Sequence, residues 1–265
     1  MEEKKNVTEG NEKSEKVQET LRTLRNAKEI YVIMSGVTHL PFVMCDEETF
    51  DDEVLLYYQV EDAQKRAKEL AGEKYLLAIA KLEAAQMLPF YTNLYTMGVN
   101  CLAVNQGMES AMSIQLPDLV IRKKPEEVEG GKKLVENPEL HLTAIYLMQE
   151  LRRHPGVAEA ELPSEIKEYQ EELLAHYQKG TFIVAIQEDG QVPILQQKDG
   201  TVYQPIFTDM FELRKFAKEK KMKTGAVPAA KIPEILVPDA KGVAINPFGV
   251  NVQLTVNRPA KKSEA

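Results

Sequence analysis

Five short segments from the first half of this chain recur, in the same order, in the second half. The apolar run 30–34 matches 182–186, and Pro41 in Leu40-Pro41-Phe42 falls at the same separation as Pro193 in Val192-Pro193-Ile194. Ala67-Lys68-Glu69 then matches Ala217-Lys218-Glu219, Leu102-Ala103-Val104-Asn105 matches Val243-Ala244-Ile245-Asn246, and Gln115-Leu116 matches Gln253-Leu254. A single apolar tripeptide recurs by chance; an ordered set whose offsets shrink in one direction is a stronger signal of internal repetition. The expected fold is therefore α+β, with two similar small sheet-plus-helix units arising from an internal duplication and joined by a polar linker.

Local patterning sets the expected boundaries. Residues 1–17 hold too little apolar surface to offset the entropy of ordering and read as a disordered arm. The first unit spans 18–117. It begins with a helix carrying Val17, Leu21 and Leu24, continues in strands at 30–34, 40–44 and 54–58, and has a helix over 61–71. Residues 75–81 read as strand or helix, and strands follow at 101–104 and 113–116. Residues 118–137 form the linker, broken by Pro125, Gly130 and Gly131. The second unit, 138–257, opens with two helices. Pro138 starts one, with Leu142, Ile145, Tyr146 and Leu151 inward, and Ser164 caps the other, with Ile166, Leu173, Leu174 and Tyr177 as its stripe. Strands at 182–186, 192–196 and 202–207 follow, with Asp199-Gly200 read as a type I′ hairpin turn. Thr208 or Asp209 caps a helix over 210–220, and the last strands fall at 242–246 and 250–256. Residues 258–265 form the tail.

Charge narrows the function classes. Against 33 Lys+Arg stand 41 Asp+Glu, a formal net charge of -8, so the chain lacks the cationic surplus with which proteins neutralise nucleic-acid phosphates. No apolar run approaches the roughly 20 residues that span a bilayer, and no basic-then-apolar leader opens the chain. Cys45 and Cys101 are too few and too far apart for a disulfide framework, so both read as buried free thiols. A cytoplasmic protein with no nucleic-acid or membrane partner is expected.

Catalytic motifs are missing. There is no phosphate-cradling glycine loop, no nucleophile elbow and no His-Glu-x-x-His, so no cofactor, metal or catalytic residue is expected. Of the histidines, His39, His141, His154 and His176, none stands three or four residues from another His or a Cys. His39 reads as surface and His176 as a helix-end cation. The acidic run Asp46-Glu47-Glu48 and Asp51-Asp52-Glu53 lacks the spacing of a calcium loop and reads as a solvated face. The basic stretch 218–223 is too small to offset the global charge. Tyr57, Tyr58, Tyr91 and Tyr95 read as core or half-buried packing, with an interface as the alternative. Five residues stand as binding candidates. Asn246 and Phe248 lie in the turn Asn246-Pro247-Phe248-Gly249, and Phe207, Thr208 and Asp209 lie where a strand enters a helix.

The second half, with its two leading helices, resembles the N-terminal domain of the SseB family of bacterial proteins. The resemblance is carried by the strand 182–186, by Val192-Pro193-Ile194-Leu195 with Asp199-Gly200, by Tyr203-Gln204-Pro205-Ile206-Phe207-Thr208-Asp209, and by the run 242–249. Over the first half it is faint, as in a degenerate copy: Asp51-Asp52-Glu53 stands where the Asp-Gly hairpin would, and Asn105-Gln106 where Asn-Pro would. The resemblance brings no catalytic residue with it. Together with the duplicated scaffold and the missing active-site constellation, it leads to the expectation of a non-catalytic cytoplasmic protein that binds another, unknown protein, with self-association left open. The alternative is a small-molecule sensor or unrecognised enzyme with its ligand between the two units.

Overall fold

In each half of the chain, two parallel strands buried on both faces form the centre, as near-continuous apolar runs require. The structure, a computed structural model, describes residues 2–122, 134–218 and 221–258, and for residues 2–13 the backbone alone. Most of the expected linker 118–137 and of the tail 258–265 lies outside the described residues, as do residues 219 and 220 of the basic stretch. The fold is α+β. Two units divide the chain: Met1–Gly36, Pro41–Tyr95 and Val99–Lys124 make the first, and Val37–Leu40, Thr96–Gly98 and Pro125–Ala265 the second.

The first unit runs α1 (Glu2–Asn26), β1 (Glu29–Ser35), β2 (Val43–Cys45), β3 (Asp52–Tyr57), α2 (Val60–Gly72), β4 (Leu77–Glu83), α3 (Ala84–Thr96), β5 (Cys101–Val104), β6 (Met112–Gln115) and α4 (Leu116–Leu119). Its six-stranded sheet has the order β4-β1-β3-β5-β6, with β2 also paired to β3. β3 and β5 are parallel, and the remaining pairs are antiparallel. Ile33, Leu55, Tyr57 and Ala103 from the strands pack with Ala63 and Leu70 of α2 in one core cluster.

The second unit runs α5 (Pro138–Arg153), α6 (Ser164–Lys179), β7 (Thr181–Ile186), β8 (Leu195–Gln196), β9 (Val202–Ile206), α7 (Met210–Ala217), β10 (Lys223–Pro228), α8 (Ile232–Ile235), β11 (Ala240–Ile245) and β12 (Val252–Thr255). β10 pairs with β7, and β12-β11-β9-β8 form a four-stranded sheet. An antiparallel bridge between Ile183 and Phe207 joins the two. With that bridge the path β10-β7-β9-β11-β12, with β8 on β9, repeats the strand order and pairing senses of the first unit. β9 and β11 are its parallel pair.

Several elements depart from the sequence expectation, each for a local reason. α1 is helical from Glu2 rather than from Val17, in keeping with the helix-favouring Glu and Lys of that stretch. Pro41 and Pro193 cannot donate to a ladder, so the strands expected at 40–44 and 192–196 contract to β2 and β8. Residues 75–81 resolve as β4, paired along all of β1. α3 was not expected; it runs through Pro89, a residue type that usually ends helices. β10 has neither alternation nor a strong apolar run, and it forms because six consecutive residues pair with β7.

The Asp199-Gly200 turn is not type I′, because Gly200 has φ +85 while Asp199 stays out of the left-handed region. Gly200 N–H donates to the Gln197 carbonyl and Gln197 N–H to that of Thr201. This is a three-residue loop closed by a left-handed glycine. Gln187 to Gln191 repeats it around Gly190 (φ +86). Ser164 is the first residue of α6 and makes no side-chain cap; Pro163 holds the cap position. On α5 the buried set is Leu140, His141, Thr143, Ala144, Ile145, Leu147, Gln149 and Glu150, so Leu142, Tyr146 and Leu151 are only half-buried. Cys101 is buried as expected, but Cys45 is exposed; both thiols are free.

Candidate functional site

The second unit brings three of the five candidate residues, Thr208, Asp209 and Asn246, into one buried knot, places Phe207 in the apolar core and leaves Phe248 at the surface. Asp209 is the N-cap of α7, and its Oδ1 accepts from the N–H groups of Phe211 (2.7 Å) and Glu212 (3.1 Å). The Thr208 hydroxyl donates to Asp209 Oδ2 (2.7 Å) and accepts from Asn246 Nδ2 (2.8 Å). Asn246 Oδ1 accepts from Thr208 N–H (3.0 Å), and its own N–H donates to the Ile206 carbonyl (3.0 Å). Asn246 makes these bonds at φ +47, in the left-handed region that Asn tolerates better than most residues.

His141, from α5, completes the knot. It is wholly buried; its Nδ1 lies 3.2 Å from the Thr96 carbonyl, 3.4 Å from Thr208 Oγ1 and 3.5 Å from Asp209 Oδ2. A carbonyl only accepts, so Nδ1 carries a proton. Nε2 faces Glu212 Oε1 at 3.7 Å, and Glu212 in turn pairs with Lys215. Burial pushes the Asp209 carboxyl up, but His141, the Thr208 hydroxyl and the Glu212 N–H outweigh it and hold the carboxyl below its usual 3.8. Thr208, Asp209, Glu212 and Asn246 are each no more than 1% exposed. The knot ties α5 to the β9–α7 junction and to the turn after β11. The sequence reading gave His141 no role; the one signal was its place four residues before Ile145, on the same helix face.

Phe207 is fully buried, whereas Phe248 is 50% exposed. Between them the half-buried Phe216 forms an aromatic relay, with ring centroids 5.2 Å from Phe207 and 5.7 Å from Phe248. Phe248 opens onto a groove of about 740 Å³ lined by Gln187, Pro193, Ile194, Phe216, Ala217, Lys218, Met222 and Phe248 itself. Ile194 is 52% exposed there, and Lys218 Nζ stands 6.0 Å over the Phe248 ring.

The segment carrying this groove has a family match. Residues 158–260 match the SseB protein N-terminal domain. The SseB-like segment thus contains α6, the knot apart from His141 and Thr96, and the whole lining of the groove. No characterised protein sequence matches the chain. Among solved structures, Tic22 from Plasmodium falciparum is similar at 14% identity, covering 85% of this chain and 90% of that one, with a TM-score of 0.22. Anabaena Tic22 (protein transport) is similar at 9% identity, covering 80% and 84%, with a TM-score of 0.21. Scores this low leave both likenesses without bearing on fold or role.

In the first unit, Asn105 (φ +51) repeats the backbone role of Asn246: its N–H donates to the Leu56 carbonyl and its Oδ1 accepts from Tyr58 N–H (3.2 Å). Tyr58 occupies the place of Thr208 and Gln59 that of Asp209, without a side-chain cap. Tyr57 and Tyr91 are core residues, and Tyr95 donates to the Val120 carbonyl (2.6 Å). Asp46 folds the acidic loop onto itself, its Oδ1 accepting from Glu48 N–H, Thr49 N–H and the Thr49 hydroxyl. His176 sits between Glu139 and Glu172 at 3.3 and 3.2 Å, and His39 is exposed at φ +57. Among the described residues no group of three or more His, Cys, Asp or Glu could hold a metal ion, and no helix is long and apolar enough to cross a membrane.

Proposed function

We propose that this chain is a non-catalytic protein of the SseB type that binds another protein, with Phe248 at the centre of the contact. The supporting observation is the division of labour among the five candidate residues. Thr208, Asp209 and Asn246 are spent on one another and on backbone, and Phe207 is core, so none of them can meet a partner directly. Phe248 is held at the surface by the turn they anchor, next to the exposed Ile194. Grouped exposed apolar side chains on a folded domain mark places of association, and aromatic residues are enriched where proteins meet. The same reading takes the first unit, 18–117, as a degenerate duplicate of the second, 138–257, and takes the protein to work in the bacterial cytoplasm. The shared strand order and the paired Asn105 and Asn246 geometry support the duplication.

Native mass spectrometry of the gently purified chain, wild type and Phe248→Ala, tests this. A second protein chain carried by the wild type and lost from Phe248→Ala, at an unchanged melting temperature, is expected. A sub-kilodalton adduct with no protein bound would contradict it.

A further inference from the structure

We propose that a second copy of this chain pairs with it along β4, identical strands running antiparallel about a two-fold axis at Ile79. The contact lies on the first unit and stands independently of the protein-binding reading above. β4 ends the sheet order β4-β1-β3-β5-β6, and among the described residues it pairs with β1 alone. Gly36 N–H donates to the Leu76 carbonyl (2.7 Å) at one end of that ladder, and Ala84 N–H to the Lys28 carbonyl (2.9 Å) at the other. Both fall in the β1–β4 register, in which hydrogen-bonded and non-hydrogen-bonded pairs alternate. The even-numbered residues from 76 to 84 therefore spend their backbone groups on β1. Leu77, Ile79, Lys81 and Glu83 aim theirs at the open edge. Gln86 Oε1 accepts from Glu83 N–H (2.9 Å), which closes that edge at one end and leaves Leu77, Ile79 and Lys81.

These three positions are their own complement. About Ile79, Leu77 stands opposite Lys81 of the second copy and Ile79 opposite Ile79, each pair exchanging two backbone bonds. At the intervening positions, where side chains approach most closely, Ala78 meets Ala80 and the 60%-exposed Leu76 meets Leu82. The two Lys81 side chains lie four residues apart along the pair, roughly 13 Å, and each is already matched by Glu29 (3.1 Å) and Glu83 (3.7 Å). Between Tyr75 and Phe90, Lys81 and Glu83 are the only charged residues, on a chain of net charge -8. The strip is electrically neutral, so two copies that repel elsewhere can meet there. Edge strands are commonly guarded by proline, short length or a bulge. β10, in the same place in the second unit, contains Gly225 and ends at Pro228; β4 keeps one unbroken register with neither residue type. The two-fold axis uses the open edge of both copies, so assembly closes at the dimer.

The test is sedimentation velocity of the full chain from about 1 to about 300 μM, because a contact of this size belongs to the transient class. A monomer–dimer equilibrium is expected. Lys81→Pro removes one outward N–H and spares the ladder with β1, and Ala78→Lys sets a guarding charge at an exposed position. Each is expected to weaken dimerisation by about ten-fold or more at a melting temperature near wild type; should Lys81→Pro disturb the fold, Ala78→Lys decides. Phe248→Ala should dimerise as wild type does, which separates this contact from the one proposed above. In amide hydrogen exchange of the wild type, Leu77, Ile79 and Lys81 should slow as concentration rises, whereas Ala78 and Ala80, already bonded to β1, should not change. A chain that stays monomeric throughout, a dimer that Ala78→Lys leaves intact, or a slowing that misses these three amides would overturn the proposal.

Discussion

Asn246 and Phe248 lie two residues apart and should behave in opposite ways. Asn246→Ala loses two side-chain hydrogen bonds and keeps a left-handed backbone that Ala tolerates poorly, so it should cost about 2–4 kcal/mol in urea unfolding. Phe248→Ala gives up only half-buried surface and should cost no more than about 1 kcal/mol. Two carboxylates should likewise respond oppositely to pH. The Asp209 carboxyl is held below 3.8 when folded, so its contribution is present above that value and is lost as pH falls through the lower folded pKa. Asp209→Asn should therefore flatten the acid limb of the stability curve. Glu53 is buried, and desolvation raises its carboxyl above 4.5 although Cys101 Sγ–H and the Ser113 hydroxyl partly offset this. Wild-type stability should fall as pH rises from 4.5 through the raised folded pKa. Glu53→Gln should gain on wild type across that window in paired unfolding curves. The Asn in a turn, the Thr-Asp helix entry and the aromatic in the closing signature were legible in the residues. Their partition was not: nothing local distinguishes a buried Thr208 from an exposed Phe248, and His141 lies 67 residues from Thr208 along the chain.

Among elements, the β11–β12 pair depends on a close approach. A Cβ on Gly242 would overlap the Leu254 carbonyl, and the register pairs Gly242 with Thr255 and Val243 with Leu254. Gly242→Ala should separate the strands, lowering the unfolding midpoint by the equivalent of about 3 kcal/mol or more, or prevent folding. Elements with strong local signals followed from the sequence: β1, β3, β5, β7, β9 and β11 are apolar runs, and α2, α5, α6 and α7 carry periodic apolar positions. Elements made by partners did not. β10 has only Ala226 and Val227 as apolar side chains between Gly225 and Pro228, and exists because β7 offers it a full ladder. α3 continues past Pro89 against the local rule. The hairpin at Asp199-Gly200 was visible as a turn, but its type depends on Gln197 and Thr201 closing a longer loop.

At the scale of the whole molecule, the repeated order of five sequence segments corresponds to a repeated order of strands. Both units place a parallel pair at the centre, an antiparallel strand beyond it, and a short proline-preceded strand on the same partner. What separates the units chemically is the strand-to-helix junction, Tyr58-Gln59 in one and Thr208-Asp209 in the other. Only the second has a side-chain cap fixed by a buried histidine and, two residues past its asparagine, an exposed aromatic. The proposed binding role accordingly falls on the second unit. The most direct measurement is site-specific photocrosslinking in intact cells, with the crosslinker at position 248 and, as a control, at Leu174, which is 47% exposed on α6 of the same unit. The account predicts a discrete crosslink to one protein from position 248 and none from position 174. No protein crosslink at 248, or the same products from both positions, would contradict it.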